Sequence, residues 1–139
     1  MNTTDTDIKK ILQDYKKITV LGLSPDPTKP SQKIPVFMSS KGYSVIGVYP
    51  KEKEINGFKI FQSIADVPPD QRQFVNVFRG SEKIPMVVDE ILKAGGVKVM
   101  WLQLGIKNAE AEKRAEDAGI KVVSDRCLLI EYKKHFRNE

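Results

Sequence analysis

Five short stretches hold the residues with chemistry to offer: Gly22-Leu23-Ser24-Pro25, Tyr49-Pro50-Lys51, Phe78-Arg79-Gly80-Ser81, Gln103-Leu104-Gly105 and Ser124-Asp125-Arg126-Cys127. Each follows an apolar run that reads as a β-strand. Serine hydroxyls, backbone amides freed by glycine and the cations Lys29, Lys51 and Arg79 are the donors a phosphorylated ligand requires. The first stretch says most. Lys17 to Ser24 is a buried β run that breaks at Gly22, crosses Pro25 to Ser31 and re-forms as a helix, the arrangement by which α/β proteins aim amides at a phosphate. Strand ends are also polar simply because loops face water, so the clustering alone leaves an ordinary exposed rim open.

Spacing narrows the ligand. The first loop has one glycine, Gly22, where the dinucleotide fingerprint G-x-G-x-x-G asks for three. Ser24 and Ser31 still offer hydroxyls, Lys29 adds charge, and the helix opening near Ser31 presents its positive end. At the second strand end, NAD enzymes place an acidic residue for the ribose 2′-hydroxyl, whereas here Pro50 is followed by Lys51 and Lys53. Cations there favour a phosphorylated ribose. Glu52 and Glu54 alternate with them, which keeps a plain charged loop open.

Catalytic constellations are hard to assemble. His135 is the single imidazole, so no Ser-His-Asp or Cys-His arrangement forms, and it leaves no metal-ligand set. Cys127 is the single thiol, which excludes an intrachain disulfide and a multi-cysteine zinc cluster. Arg79 reads either as a ligand contact or as an ion pair with Glu82 or Asp89. Gln103 is expected to bond neighbouring backbone, Trp101 to sit in the core, and Asp125-Arg126 to supply an N-cap and an ion pair. Cys127 is expected to be packed and inert, with a reactive thiol in the first turn of a helix beside Arg126 as the alternative.

The supporting elements follow from periodicity. Residues 7–16 have helical spacing at Ile8, Ile11, Leu12 and Tyr15, and Pro30-Ser31 open a helix that closes at Gly42. Strands are expected at Tyr43–Tyr49, Phe74–Phe78, Val97–Gln103 and Ile120–Val123, after the first at Lys17. Glu54–Phe61, with its Asn56-Gly57 turn, reads as a small extended excursion before a short helix from Ser63. A helix from Ser81 carries Ile84, Val87, Val88, Ile91 and Leu92 and ends at Gly95-Gly96. Another is capped by Asn108 and finishes at Gly119, and a last one starts at Cys127. Alternating strands and helices imply a parallel sheet with right-handed crossovers.

With 139 residues, 40% of them hydrophobic, the chain is expected to form one domain over residues 1–139, burying about two thirds of its unfolded surface. The net charge of +5 asks for an acidic partner: nucleic acid, an anionic membrane surface or a polyphosphate. Lys133 to Arg137 forms the densest basic cluster and reads as a solvated tail without the aromatic interleaving of single-strand binders, so nucleic acid is disfavoured. Residues 1–7 are polar and acidic, and no apolar run approaches the roughly 20 residues of a membrane span. A cytoplasmic protein without membrane contact is expected.

Together, Val20-Leu21-Gly22-Leu23-Ser24, Tyr49-Pro50, Val77-Phe78-Arg79, Trp101 to Gly105, and Asp125-Arg126-Cys127 with Ile130-Glu131 resemble the small stand-alone CoA-binding protein family. The match spans roughly residues 16–131. The resemblance implies an α/β, Rossmann-like three-layer domain with a five-stranded parallel sheet of order 3-2-1-4-5, similar to the N-terminal domain of the succinyl-CoA synthetase α subunit. It further implies CoA or acyl-CoA as ligand, with the diphosphate on the Gly22 to Ser31 loop, the 3′-phosphate near Pro50-Lys51, and adenine or pantetheine against Phe78-Arg79. Tyr49 stands where relatives often have Asn, which removes a side-chain bond and keeps the turn set by Pro50. The synthetase uses a phosphorylated histidine from a further domain, so a CoA-binding protein without its own catalytic apparatus is expected here. A second copy or an acyl-CoA-using enzyme is the partner that would follow. An NADP-type or other nucleotide-using oxidoreductase is the alternative.

Overall fold

The computed structural model describes residues 3–136. Helix α1 (Asp5–Asp14) starts two residues before its expected start, because Thr4 caps it. The Thr4 hydroxyl accepts the Asp7 N–H, and the Asp7 carboxylate accepts the Thr4 N–H, a reciprocal box that satisfies two otherwise open donors. Strand β1 (Lys17–Leu21) follows, then α2 (Pro30–Ser40) and β2 (Ser44–Val48). Strands β3 (Glu54–Ile55) and β4 (Phe58–Phe61) form a hairpin, followed by 3-10 turns at Ile64–Asp66 and Pro69–Gln71. The second half runs β5 (Phe74–Val77), a 3-10 turn at Ser81–Lys83, α3 (Ile84–Ala94), β6 (Val99–Leu102), α4 (Ala109–Asp117), β7 (Lys121–Val123) and α5 (Leu128–His135). Among the described residues, no helix is long and apolar enough to cross a membrane.

The sheet has seven strands in the order β3-β4-β2-β1-β5-β6-β7, in place of five. Every pair is parallel except β3 with β4. The expected order 3-2-1-4-5, with Phe74–Phe78 as the third strand, is corrected as well: β5 lies on the far side of β1 from β2. The segment read as an excursion takes the third place. Strand β3 carries the chain backwards, Asn56 and Gly57 turn it at positive φ, and β4 then runs forward beside β2. Gly47 makes that pairing close, since a Cβ there would lie 2.7 Å from Ile60 Cδ1 and 2.9 Å from Leu23. A parallel return made by a two-residue strand, without a helix, escapes any reading based on strand–helix alternation.

Helices cover both faces of the sheet. Ile8, Ile11 and Leu12 of α1, Ile34 and Met38 of α2, and Leu128 and Tyr132 of α5 pack on Ile18, Val20, Phe74 and Trp101. Ile84, Val87, Val88 and Ile91 of α3, with Ala111 and Ala115 of α4, pack on Leu21, Val75, Val77, Met100 and Leu102 of the opposite face. Burying each large apolar side chain contributes about 1.5–3 kcal/mol. Leu92 is not on the packed face and stays 39% exposed, because it stands about 100° round the helix from Ile91. Trp101 is fully buried as expected, its Nε1–H donating to the Arg126 carbonyl at 2.9 Å.

The carboxyl end of the chain departs from the expected solvated tail. Lys133 and Lys134 are exposed, but the His135 side chain is only 10% exposed, and the Phe136 ring packs 5.1 Å from that of Tyr132. Arg137 lies outside the described residues.

Candidate ligand site at the carboxyl edge of the sheet

Parallel strands all deliver their following loops to one edge, and two clefts open there. The larger, about 650 Å³, lies on the α3 face between Leu21, Val48, Ile64, Ala65, Met86 and Val87, with Arg79, Lys83, Glu90 and Lys93 around it. The smaller, about 490 Å³, lies on the α2 and α5 face between Lys29, Ser31, Ile34, Phe78, Gln103, Leu104, Ile106 and Cys127. Arg79 lines both. No ion pair holds it among the described residues, since Asp89, one of its two expected partners, pairs with Arg114 instead.

The structure therefore gathers Lys29, Ser31, Phe78, Arg79 and Gln103 into one cleft wall. The other expected residues fall outside the two linings. Gly22 has φ +89°, and a Cβ on it would come within 2.8 Å of the Phe78 carbonyl oxygen, so its absent side chain serves the packing of β1 against the β5 loop. Leu23 and Ser24 are buried, and Pro25 is exposed. Pro50 and Lys51 are exposed at the end of β2, Lys51 at φ 66°. Gly105, at φ +85°, donates its N–H to Asp125 Oδ1 at 2.7 Å.

That last bond corrects the role expected of Asp125. It does not cap the last helix; it sits at φ 57° and ties the β6 and β7 loops together. Gln103 does the capping, its side-chain oxygen accepting the Leu128 N–H at 3.5 Å, which is the backbone bond expected of it. The expected ion pair is present between Arg126 and Glu131 at 3.7 Å. Cys127 is neither sealed in the core nor fully exposed, and faces the smaller cleft. Ile34 and Ile106 were not anticipated, and Leu104 stood in one of the five stretches without a role of its own. Leu104, at 59% exposure beside a positive-φ glycine, was the one with a readable signal.

The loop from Gly22 to Ser31 is closed by its own bonds. Gly22 N–H donates to Val48 O, Ser24 N–H to Ser31 O, Asp26 N–H to Ser24 Oγ, and Thr28 N–H to Asp26 Oδ1. The Thr28 hydroxyl and then its amide hold the Asp26 carboxyl below its ordinary 3.8. With prolines at 25, 27 and 30, the amides left without a protein acceptor among the described residues are those of Leu23 and Ser31. Lys29 occupies the N-cap position of α2 and makes no side-chain cap bond, so the positive end of an eleven-residue helix faces the smaller cleft uncapped.

Known proteins share this frame. A protein of Thermus thermophilus superposes with a TM-score of 0.86 at 35% identity, covering 98% of this chain and 100% of that one. The uncharacterised protein YneT of Bacillus subtilis is 37% identical over 131 residues, 93% of this chain and 94% of YneT. The dinucleotide-forming acetyl-coenzyme A synthetase 1 of Ca. Korarchaeum cryptofilum matches over 84% of this chain and 27% of its own length, with a TM-score of 0.66 and 26% identity. The family model described as a CoA binding domain matches residues 16–133, and the chain belongs to that family.

Proposed function

We propose that the protein binds CoA or an acyl-CoA thioester and acts by holding it, with no catalytic step of its own. The observation that carries this reading is Arg79, shared by two clefts on opposite faces of one sheet edge. A ligand that uses both must be long, negatively charged near its middle, and different at its two ends. CoA has that form: an adenosine phosphorylated on its ribose, a diphosphate, and an arm ending in a thiol.

In this reading the diphosphate meets the open amide and the hydroxyl of Ser31 and the charges of Lys29 and Arg79. Such charge-assisted bonds contribute about 1.5–3 kcal/mol each. The adenosine occupies the larger cleft beside Val48, and its 3′-phosphate extends toward Lys51, three residues further along the chain. The arm lies in the smaller, more apolar cleft and brings its thiol toward Leu104 and Cys127.

Calorimetric titration with CoA, dephospho-CoA, NADP and NAD tests the assignment. One CoA per chain is expected, with NADP and NAD weaker by at least about tenfold, because neither carries an arm for the smaller cleft. The affinity for CoA falls with added salt, as screening predicts for a phosphate held by exposed lysines. NADP binding as tightly as CoA would overturn the reading in favour of an oxidoreductase.

A further inference from the structure

Outside the linings of the two clefts, α1 and α5 pack against each other and bring Asp5, Glu131 and His135 together. One oxygen from each carboxylate and one ring nitrogen of His135 lie within 4.8 Å of one another. Glu131 and His135 stand four residues apart on one face of α5. Glu131 is 6% exposed and the His135 side chain 10%. Glu131 Oε1 and His135 Nε2 face each other at 3.7 Å, too far for a hydrogen bond, and neither buried atom has a hydrogen-bond partner among the described residues. A buried carboxylate oxygen and a buried imidazole nitrogen that both lack a hydrogen bond are costly in a folded protein and call for a group that serves both.

We propose that Asp5, Glu131 and His135 form a binding site for a divalent ion of the zinc, cobalt or nickel class, fastening α1 to α5. Metal–nitrogen bonds of about 2.0–2.1 Å and metal–oxygen bonds of about 2.0–2.2 Å place two tetrahedral ligands roughly 3.4 Å apart. The observed 3.7 Å needs only a small closure. One imidazole with two carboxylates suits a borderline ion; calcium and magnesium favour larger, all-oxygen sets.

Two cations now stand near these carboxylates. Lys134 Nζ is 3.1 Å from both Asp5 oxygens, and Arg126 Nη1 is 3.7 Å from Glu131 Oε1. Their side chains are 45% and 37% exposed, so both can swing into water as the ion supplies their charge. Lys134 is therefore a competitor of the metal, a role that a purely structural cluster does not predict.

The test is calorimetric titration of the chelator-treated full chain, free of any histidine tag, with ZnCl2, NiCl2, CoCl2 and MgCl2, alongside melting curves. One zinc, nickel or cobalt ion per chain is expected, with magnesium far weaker and a rise in melting temperature on zinc addition. His135→Gln weakens zinc binding at least about tenfold, whereas Lys134→Gln tightens it. Glu131 is buried, so Asp5→Asn at the exposed edge serves as the second carboxylate test if Glu131→Gln does not fold. Absence of binding to the wild-type chain, or equal zinc affinity in His135→Gln, overturns the proposal. CoA titrations of the same variants report separately on the sheet-edge site.

Discussion

The amide of Ser24 donates to the carbonyl of Ser31 across 3.3 Å, and Pro35 is the reason that carbonyl is free. In an uninterrupted helix the N–H of residue 35 would take the carbonyl of residue 31. Proline has no N–H, so the turn after β1 takes its place and is tied to the first turn of α2. A buried proline inside a helix thus ties down the amide of Ser24, eleven residues earlier.

Pro35→Ala restores the helical donor and sets it in competition with Ser24. The fold is expected to persist, with gained helix bonding offsetting the packing lost from the buried ring. CoA affinity falls about two- to tenfold, the worth of one neutral hydrogen bond of about 0.5–1.5 kcal/mol. Circular dichroism melts and calorimetry on the same preparation measure both. An unchanged affinity would show that the Ser24–Ser31 tie does not shape the site.

Gly22→Ala is expected to damage fold and site together. Its Cβ would meet the Phe78 carbonyl at 2.8 Å in a backbone conformation of φ +89°, at a cost of about 1–3 kcal/mol. Phe78 and Arg79 shift with that carbonyl, so urea denaturation and CoA affinity both change. Lys29→Gln, at an exposed position, is expected to lower affinity without moving the denaturation midpoint.

Helix periodicity and glycine breaks made the five long strand runs and the covering helices legible, because a buried face must repeat along the chain. Position 47 shows what was not legible. Its lack of a side chain admits Ile60 and Leu23, a relation between residues thirteen and twenty-four positions away that no local pattern records. Lys29, Ser31, Phe78, Arg79 and Gln103 were found by looking at strand ends. Ile34 and Ile106 were missed because an apolar residue lining a cleft has the same sequence signature as one in the core. His135 and Glu131 show the spacing of a helical pair, but Asp5, their third member, lies at the other end of the chain.

If Lys51 holds the 3′-phosphate, a double-mutant cycle reveals it. Dephospho-CoA is expected to bind the wild-type protein at least about tenfold more weakly than CoA. In Lys51→Gln the two ligands should bind nearly alike. A full phosphate preference retained in the variant would move the contact elsewhere, with Lys83 and Lys93 beside the larger cleft as the next residues to substitute.

The Thr4–Asp7 box makes a prediction about acid stability. The Thr4 amide, and then its hydroxyl, hold the Asp7 carboxyl below its ordinary 3.8. The folded value lies below the unfolded one, so this contribution is complete above the unfolded value and is lost as pH falls through the folded one. Thr4→Ala costs about 1 kcal/mol at neutral pH. The destabilisation in Asp7→Asn shrinks below pH 3.8 and vanishes once the wild-type carboxyl is itself protonated. Urea denaturation at neutral and acid pH measures this, and a difference independent of pH would contradict it.

Cys127 carries the last prediction. Its side chain is partly exposed and lines the smaller cleft with Phe78 and Leu104, where the CoA arm is proposed to lie. A bound CoA disulfide would bring its sulfurs to the Cys127 thiolate. Attack on one sulfur forms a bond between Cys127 and CoA and breaks the original disulfide, releasing the second CoA as a thiolate. No other cysteine is present in the chain to resolve the mixed disulfide, so the adduct persists until an external thiol reduces it. Intact-protein mass spectrometry after incubation with CoA disulfide is expected to show one CoA per chain, removed by dithiothreitol and absent in Cys127→Ser. Saturating reduced CoA should slow the reaction by filling the cleft first. A wild-type chain that stays unmodified would mean that the arm ends away from Cys127, even with CoA bound at the sheet edge.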